Sequence, residues 1–141
     1  MPHDPPVIVL VDDDADFLVT QQHVLASRGY RVLAFTDPQE ALKEIAEHRP
    51  ALVITDLMMK DLDSGFAFAR LLRQDARLKD VAVIILTGIS SRLGFDLRPQ
   101  SAQDLAAMSA DAFLEKPVAP ATLLARVEEV LKRRAEKEGA T

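Results

Sequence analysis

Five polar residues stand out by type and placement: Asp12, Asp13, Asp56, Thr87 and Lys116. Each falls within or just after one of four largely apolar runs, Val7 to Asp14, Leu52 to Met58, Val81 to Gly88 and Ala112 to Val118. The runs have strand length and are nearly continuous rather than alternating, the pattern of parallel strands covered on both faces. Their C-terminal ends would collect three carboxylates, a hydroxyl and an ammonium at one sheet edge, the edge where open α/β sheets bind ligands. Three converging carboxylates disfavour each other's ionisation. A hard cation, of the kind that takes oxygen ligands, would relieve that cost.

Positioning these groups requires strands alternating with helices. Ala15 to Arg28 carries Phe17, Leu18, Val24 and Leu25 at helical spacing, and Gly29 stops it. Arg31 to Phe35 is the second strand. Asp37-Pro38-Gln39-Glu40 combines an N-cap aspartate, a proline at the first helical position and a glutamate three residues past the cap, and opens a helix to His48 with Ala41, Leu42 and Ile45 inward. Pro50 separates that helix from a strand over Ala51 to Thr55. A third helix starts near Ser64 and turns Phe66, Ala69 and either Leu71 or Leu72 inward. The stretch from Gly88 to Ser109 is the least regular, with Ser101 to Asp104 resembling the start of a short helix. A last helix opens at Pro120 and carries Leu123, Leu124, Val127, Val130 and Leu131. The alternation predicts an α/β fold, a doubly wound five-stranded parallel sheet in three α/β/α layers.

From Val7 to about Arg134 the chain resembles the receiver domain of two-component response regulators. That resemblance implies a flavodoxin-like sheet of order 2-1-3-4-5. It also implies Asp56 as phosphoacceptor and Mg2+ held by Asp12, Asp13, Asp56 and the Met58 backbone carbonyl. Lys116 falls on the phosphate-contacting lysine, Thr87 on the switch hydroxyl and Phe113 on the switch aromatic. The partners implied are a sensor histidine kinase or histidine phosphotransfer protein and an unknown downstream protein target. Such a chain assists its own phosphorylation and dephosphorylation without being an enzyme in the ordinary sense. The sequence departs from the family pattern at Lys60, where proline is usual, and the loop from Lys60 to Ser64 is one residue longer. The stretch from Thr87 to Lys116 is also longer than usual, with the extra residues around Leu93 to Pro99.

Composition narrows the alternatives. A chain of 141 residues, 48% hydrophobic, suits one domain. The expected division is a tail over 1–6, the receiver over 7–134 and a tail over 135–141, with no output module. Net charge −5 gives no general attraction to nucleic acid or anionic membrane. Neither a signal segment nor a membrane span is visible, and cysteine is absent, so a cytoplasmic monomer or weak dimer is expected. An aspartate-nucleophile phosphohydrolase would need a second acid two residues after Asp56, where Met58 stands. A phosphorylation-independent binding module would not need the complete set of polar residues. Asp14 is read as a helix cap with a fourth acidic ligand as the alternative, Asp61 and Asp63 as a solvated loop, Lys60 as a surface residue, and Phe66 and Phe68 as packing. His3, His23 and His48 show no metal-ligand spacing.

Overall fold

The computed structural model describes residues 6–56, 70–75, 78, 80–88 and 110–139. Among these lie five strands, β1 (Val7–Val11), β2 (Arg31–Phe35), β3 (Leu52–Thr55), β4 (Ala82–Thr87) and β5 (Ala112–Glu115). They form one sheet in the order β2-β1-β3-β4-β5, every neighbouring pair parallel. This is the flavodoxin-like, doubly wound arrangement expected. Its helices are α1 (Ala15–Ala26), α2 (Pro38–His48) and α3 (Pro120–Gly139), and residues 70–74 are also helical. No helix among the described residues is long and apolar enough to cross a membrane.

Alternation of side chains along each strand divides the interior into two layers. Val9, Val11, Val53, Val83 and Ile85 face Ala41 and Ile45 of α2 together with Leu72, whereas Ile8, Leu10, Ile54, Ile84 and Leu86 face α1 and α3. Both faces of β1, β3 and β4 are therefore dry, which is why these strands read as unbroken apolar runs. Leu72 is fully buried and Leu71 is half exposed, which resolves the choice between them.

Local chemistry sets the helix ends. The Asp14 carboxylate accepts from the Phe17 amide at 3.1 Å and caps α1, and that of Asp37 accepts from the Gln39 amide at 2.9 Å and caps α2 behind Pro38. Gly29 adopts φ +86° just beyond α1, a left-handed conformation that costs other residues more. Helix α3 continues to Gly139, so helical backbone extends past residue 134.

At the opposite end of the sheet from the polar residues of interest, Asp111 joins three elements. Its carboxylate accepts from the Val83 amide at 2.8 Å, from Arg73 at 2.9 Å and from Arg134 at 2.9 Å, and Arg73 also donates to the Val81 carbonyl at 2.6 Å. Burial alone would raise the Asp111 pKa, but the Val83 amide and the two guanidinium groups hold it, on balance, below the ordinary value. A depressed carboxylate pKa stabilises the fold above the unfolded-state value and ceases to do so as pH falls through the folded-state value. Asp111→Asn is expected to cost about 2–3 kcal/mol at neutral pH, since two partly buried guanidinium groups lose their anion. In denaturant unfolding across a pH series the gap from wild type should close only as pH falls below the ordinary carboxylate range and through the lowered folded-state value, where the wild-type carboxyl protonates as well.

Candidate functional site

Strand register assembles the site. Val11 pairs with Thr55, Thr55 with Ile85, and Thr87 with Glu115, so Asp12, Asp56 and Lys116 each leave the sheet at the same edge. The ladder continues one residue further through the Asp56 amide, which donates to the Val11 carbonyl at 3.0 Å, and the Asp12 amide, which donates to the Phe35 carbonyl at 3.1 Å. Asp12 and Asp56 are consequently held on rigid backbone. The Thr55 hydroxyl adds a bond to the Asp56 carbonyl at 3.1 Å.

Carboxylate oxygens of Asp12, Asp13 and Asp56 lie within 4.8 Å of one another. Asp12 and Asp56 are buried at 3% and 2% exposure while Asp13 is exposed, so the cluster opens to solvent on one side. Lys116 crosses from β5 to meet it: Nζ donates to Asp12 Oδ2 at 2.6 Å and to Asp56 Oδ2 at 3.2 Å. The same Nζ stands 4.1 Å from the centroid of the Phe17 ring. Asp12 Oδ1 also accepts from the Asp14 amide at 2.9 Å. Burial raises the Asp12 pKa, and the bonds from Lys116 and Asp14 only partly offset it. A buried carboxylate in that position favours a cationic partner. Three carboxylates with an open side form an all-oxygen donor set, which fits a hard divalent cation better than a soft one.

Asp14, read as a helix cap, is one. Phe113 sits on β5 opposite Ile85, half-buried, and packs on the α2 side of the sheet. Thr87 ends β4, but its side chain lies outside the described residues. So do Met58, Lys60, Asp61, Asp63, Phe66, Phe68 and the whole stretch 89–109, including the extra residues near Leu93 to Pro99. A Cβ on Gly88 would meet Lys116 Cβ at 3.8 Å, an ordinary contact, so the small residue there lies along the lysine stem. Glu44, Glu47 and His48 also bring ligand atoms within 4.8 Å. They lie on α2, where His48 and Glu44 form an i,i+4 pair at 3.0 Å of the kind common on helix surfaces. The contact missed in sequence is that of Phe17 with Lys116. Helical periodicity marks Phe17 only as apolar, and no local signal links it to a residue ninety-nine positions later.

With this geometry in place the family follows. The chain belongs to the response regulator receiver domain family, whose model matches residues 8–128. It is 34% identical over 129 residues to the transcriptional regulatory protein PrrA of Mycobacterium tuberculosis, covering 92% of this chain and 51% of that protein. It is 36% identical over 131 residues to response regulator Rre1 of Synechocystis, covering 92% and 53%. The chain thus spans about half the length of the curated relatives it matches. Among solved structures, chemotaxis protein CheY4 of Vibrio cholerae superposes with a TM-score of 0.76 at 28% identity, covering 89% of this chain and 98% of that one.

Proposed function

We propose that this receiver domain accepts a phosphoryl group on Asp56, in a magnesium-dependent reaction, from the phosphohistidine of a sensor histidine kinase or phosphotransfer protein. The observation that carries the reading is the buried Asp56 carboxylate in a cluster with Asp12 and Asp13, with the Lys116 ammonium reaching both Asp12 and Asp56. An Asp56 oxygen forms a bond to phosphorus as the bond to the donor's imidazole nitrogen breaks, and the imidazole is the leaving group. Asp13 and Asp56, with Asp12 directly or through water and the Met58 carbonyl, would hold magnesium. When bound, that ion supplies positive charge against the oxygens of the transferring group. Lys116 supplies the second positive charge, and the rigid strand ends keep the nucleophile oriented, so positioning and electrostatics do most of the work.

The output is a change of surface. Thr87 donates its hydroxyl to the phosphoryl group, and Phe113 turns further into the space this opens, so that a protein target distinguishes the two states. The half-buried position of Phe113 supports this assignment, because it leaves the ring two environments to choose between. Incubation with acetyl phosphate, with and without magnesium, tests the reading by intact mass and peptide mapping. One phosphoryl group on Asp56, formed only with the metal, is expected. Labelling that ignores magnesium, or that maps to another residue, would overturn it.

A further inference from the structure

Phe17 occupies the first turn of α1, and two successive bonds tie it to the site: Asp12 Oδ1 accepts from the Asp14 amide at 2.9 Å, and Asp14 Oδ1 accepts from the Phe17 amide at 3.1 Å. The turn that places a metal-facing carboxylate therefore also places the ring. Phe17 is half-buried and packs against the apolar layer beneath α1 and α3, which limits its freedom to move away. One face meets Lys116 Nζ at 4.1 Å from the centroid. Asp12, Phe17, Thr55, Asp56 and Leu86 are among the residues enclosing a gap of about 10 Å³, no more than a single water needs. The ammonium has the carboxylates of Asp12 and Asp56 and an aromatic face around it, and the Lys116 side chain is 17% exposed, a largely desolvated setting in which cation–π attraction is stronger than at an exposed site.

These partners respond differently to a divalent cation. Asp12, Asp13 and Asp56 would hold a divalent cation, and the negative charge that now holds Lys116 would then be shared with an ion that repels the ammonium. The attraction of the ring for Nζ is not consumed. We propose that Phe17 is a positioning residue for phosphotransfer, holding the Lys116 ammonium beside Asp56 once the carboxylates turn to the metal. The proposal rests on the phosphoacceptor reading above and adds a residue that acts only through Lys116.

The test is a double-mutant cycle on the rate of phosphorylation by acetyl phosphate at saturating magnesium, measured across donor concentrations. Phe17→Leu should lower the maximal rate about fivefold, the size of a partly desolvated cation–π contact, with the half-saturating donor concentration unchanged. Phe17→Tyr, which keeps a π face, should restore the rate. In a Lys116→Ala background Phe17→Leu should have no further effect. Phe17→Met, which keeps the apolar volume, serves as a second variant and should match Phe17→Leu. A wild-type rate in both variants, an equal loss with and without Lys116, or failure of tyrosine to rescue would overturn the proposal while leaving Asp56 as phosphoacceptor. Absence of magnesium-dependent label on wild-type protein would instead overturn the phosphoacceptor reading, and the role of Phe17 with it.

Discussion

Asp56→Asn is expected to remain folded and to lose phosphorylation by at least about a thousandfold, the scale seen when a nucleophile is removed. The amide keeps the shape of the carboxylate but has no anionic oxygen to attack phosphorus, and it also weakens the donor set shared with Asp12 and Asp13. Folding should not suffer. The bond from the Thr55 hydroxyl goes to the Asp56 backbone carbonyl and survives the change. Removing one of three clustered carboxylates relieves like-charge repulsion, while Lys116 keeps its shorter contact to Asp12 at 2.6 Å. Thermal unfolding without metal should therefore give a midpoint equal to or above that of wild type, so that lost labelling cannot be attributed to an unfolded chain. Intact mass after incubation with acetyl phosphate and magnesium reads the effect. Label at wild-type level on the variant would move the phosphoacceptor elsewhere.

Lys116→Ala should split metal binding from phosphotransfer, with opposite signs. In the metal-free protein the ammonium is the counter-charge for Asp12 and Asp56, so it competes with a divalent cation for the same oxygens. Its removal should tighten magnesium binding in a calorimetric titration, because two buried carboxylates lose a partner and a repelling charge beside the ion disappears. Phosphorylation at saturating magnesium should nevertheless fall about 10- to 100-fold, the worth of one charge-assisted hydrogen bond to the transferring group. A purely structural lysine predicts weaker metal binding through a disturbed cluster. A parallel fall in both measurements would therefore remove Lys116 from the reaction.

Much of this molecule is legible in the order of its residues. Short apolar runs ending in Asp12, Asp56, Thr87 and Lys116 identify four strands and the edge they share, because burial of both sheet faces dictates continuous hydrophobicity and hydrogen-bonding groups must follow where the sheet ends. Asp37 with Pro38, and Asp14 before Ala15, mark helix starts through interactions that span three residues or fewer. Signals of this kind are local, so adjacent letters carry them.

What tertiary structure alone decides lies between residues far apart in the chain. Lys116 reaches across to Asp12 and Asp56 because register brings β5 to the same edge as β1 and β3, and register belongs to the assembled sheet. Phe17 reads simply as an apolar residue of a helix; the angle at which α1 leaves Asp14 turns its ring toward the ammonium. Leu72 and Leu71 are equivalent by composition, and the packing of residues 70–74 on the sheet buries one and exposes the other. Asp111 has the letters of an ordinary residue before a strand, yet it ties Arg73 and Arg134 to β4. Periodicity and capping chemistry are properties of neighbouring residues, whereas ion pairs and ring contacts across the sheet exist only once the crossover helices have fixed which strand lies beside which.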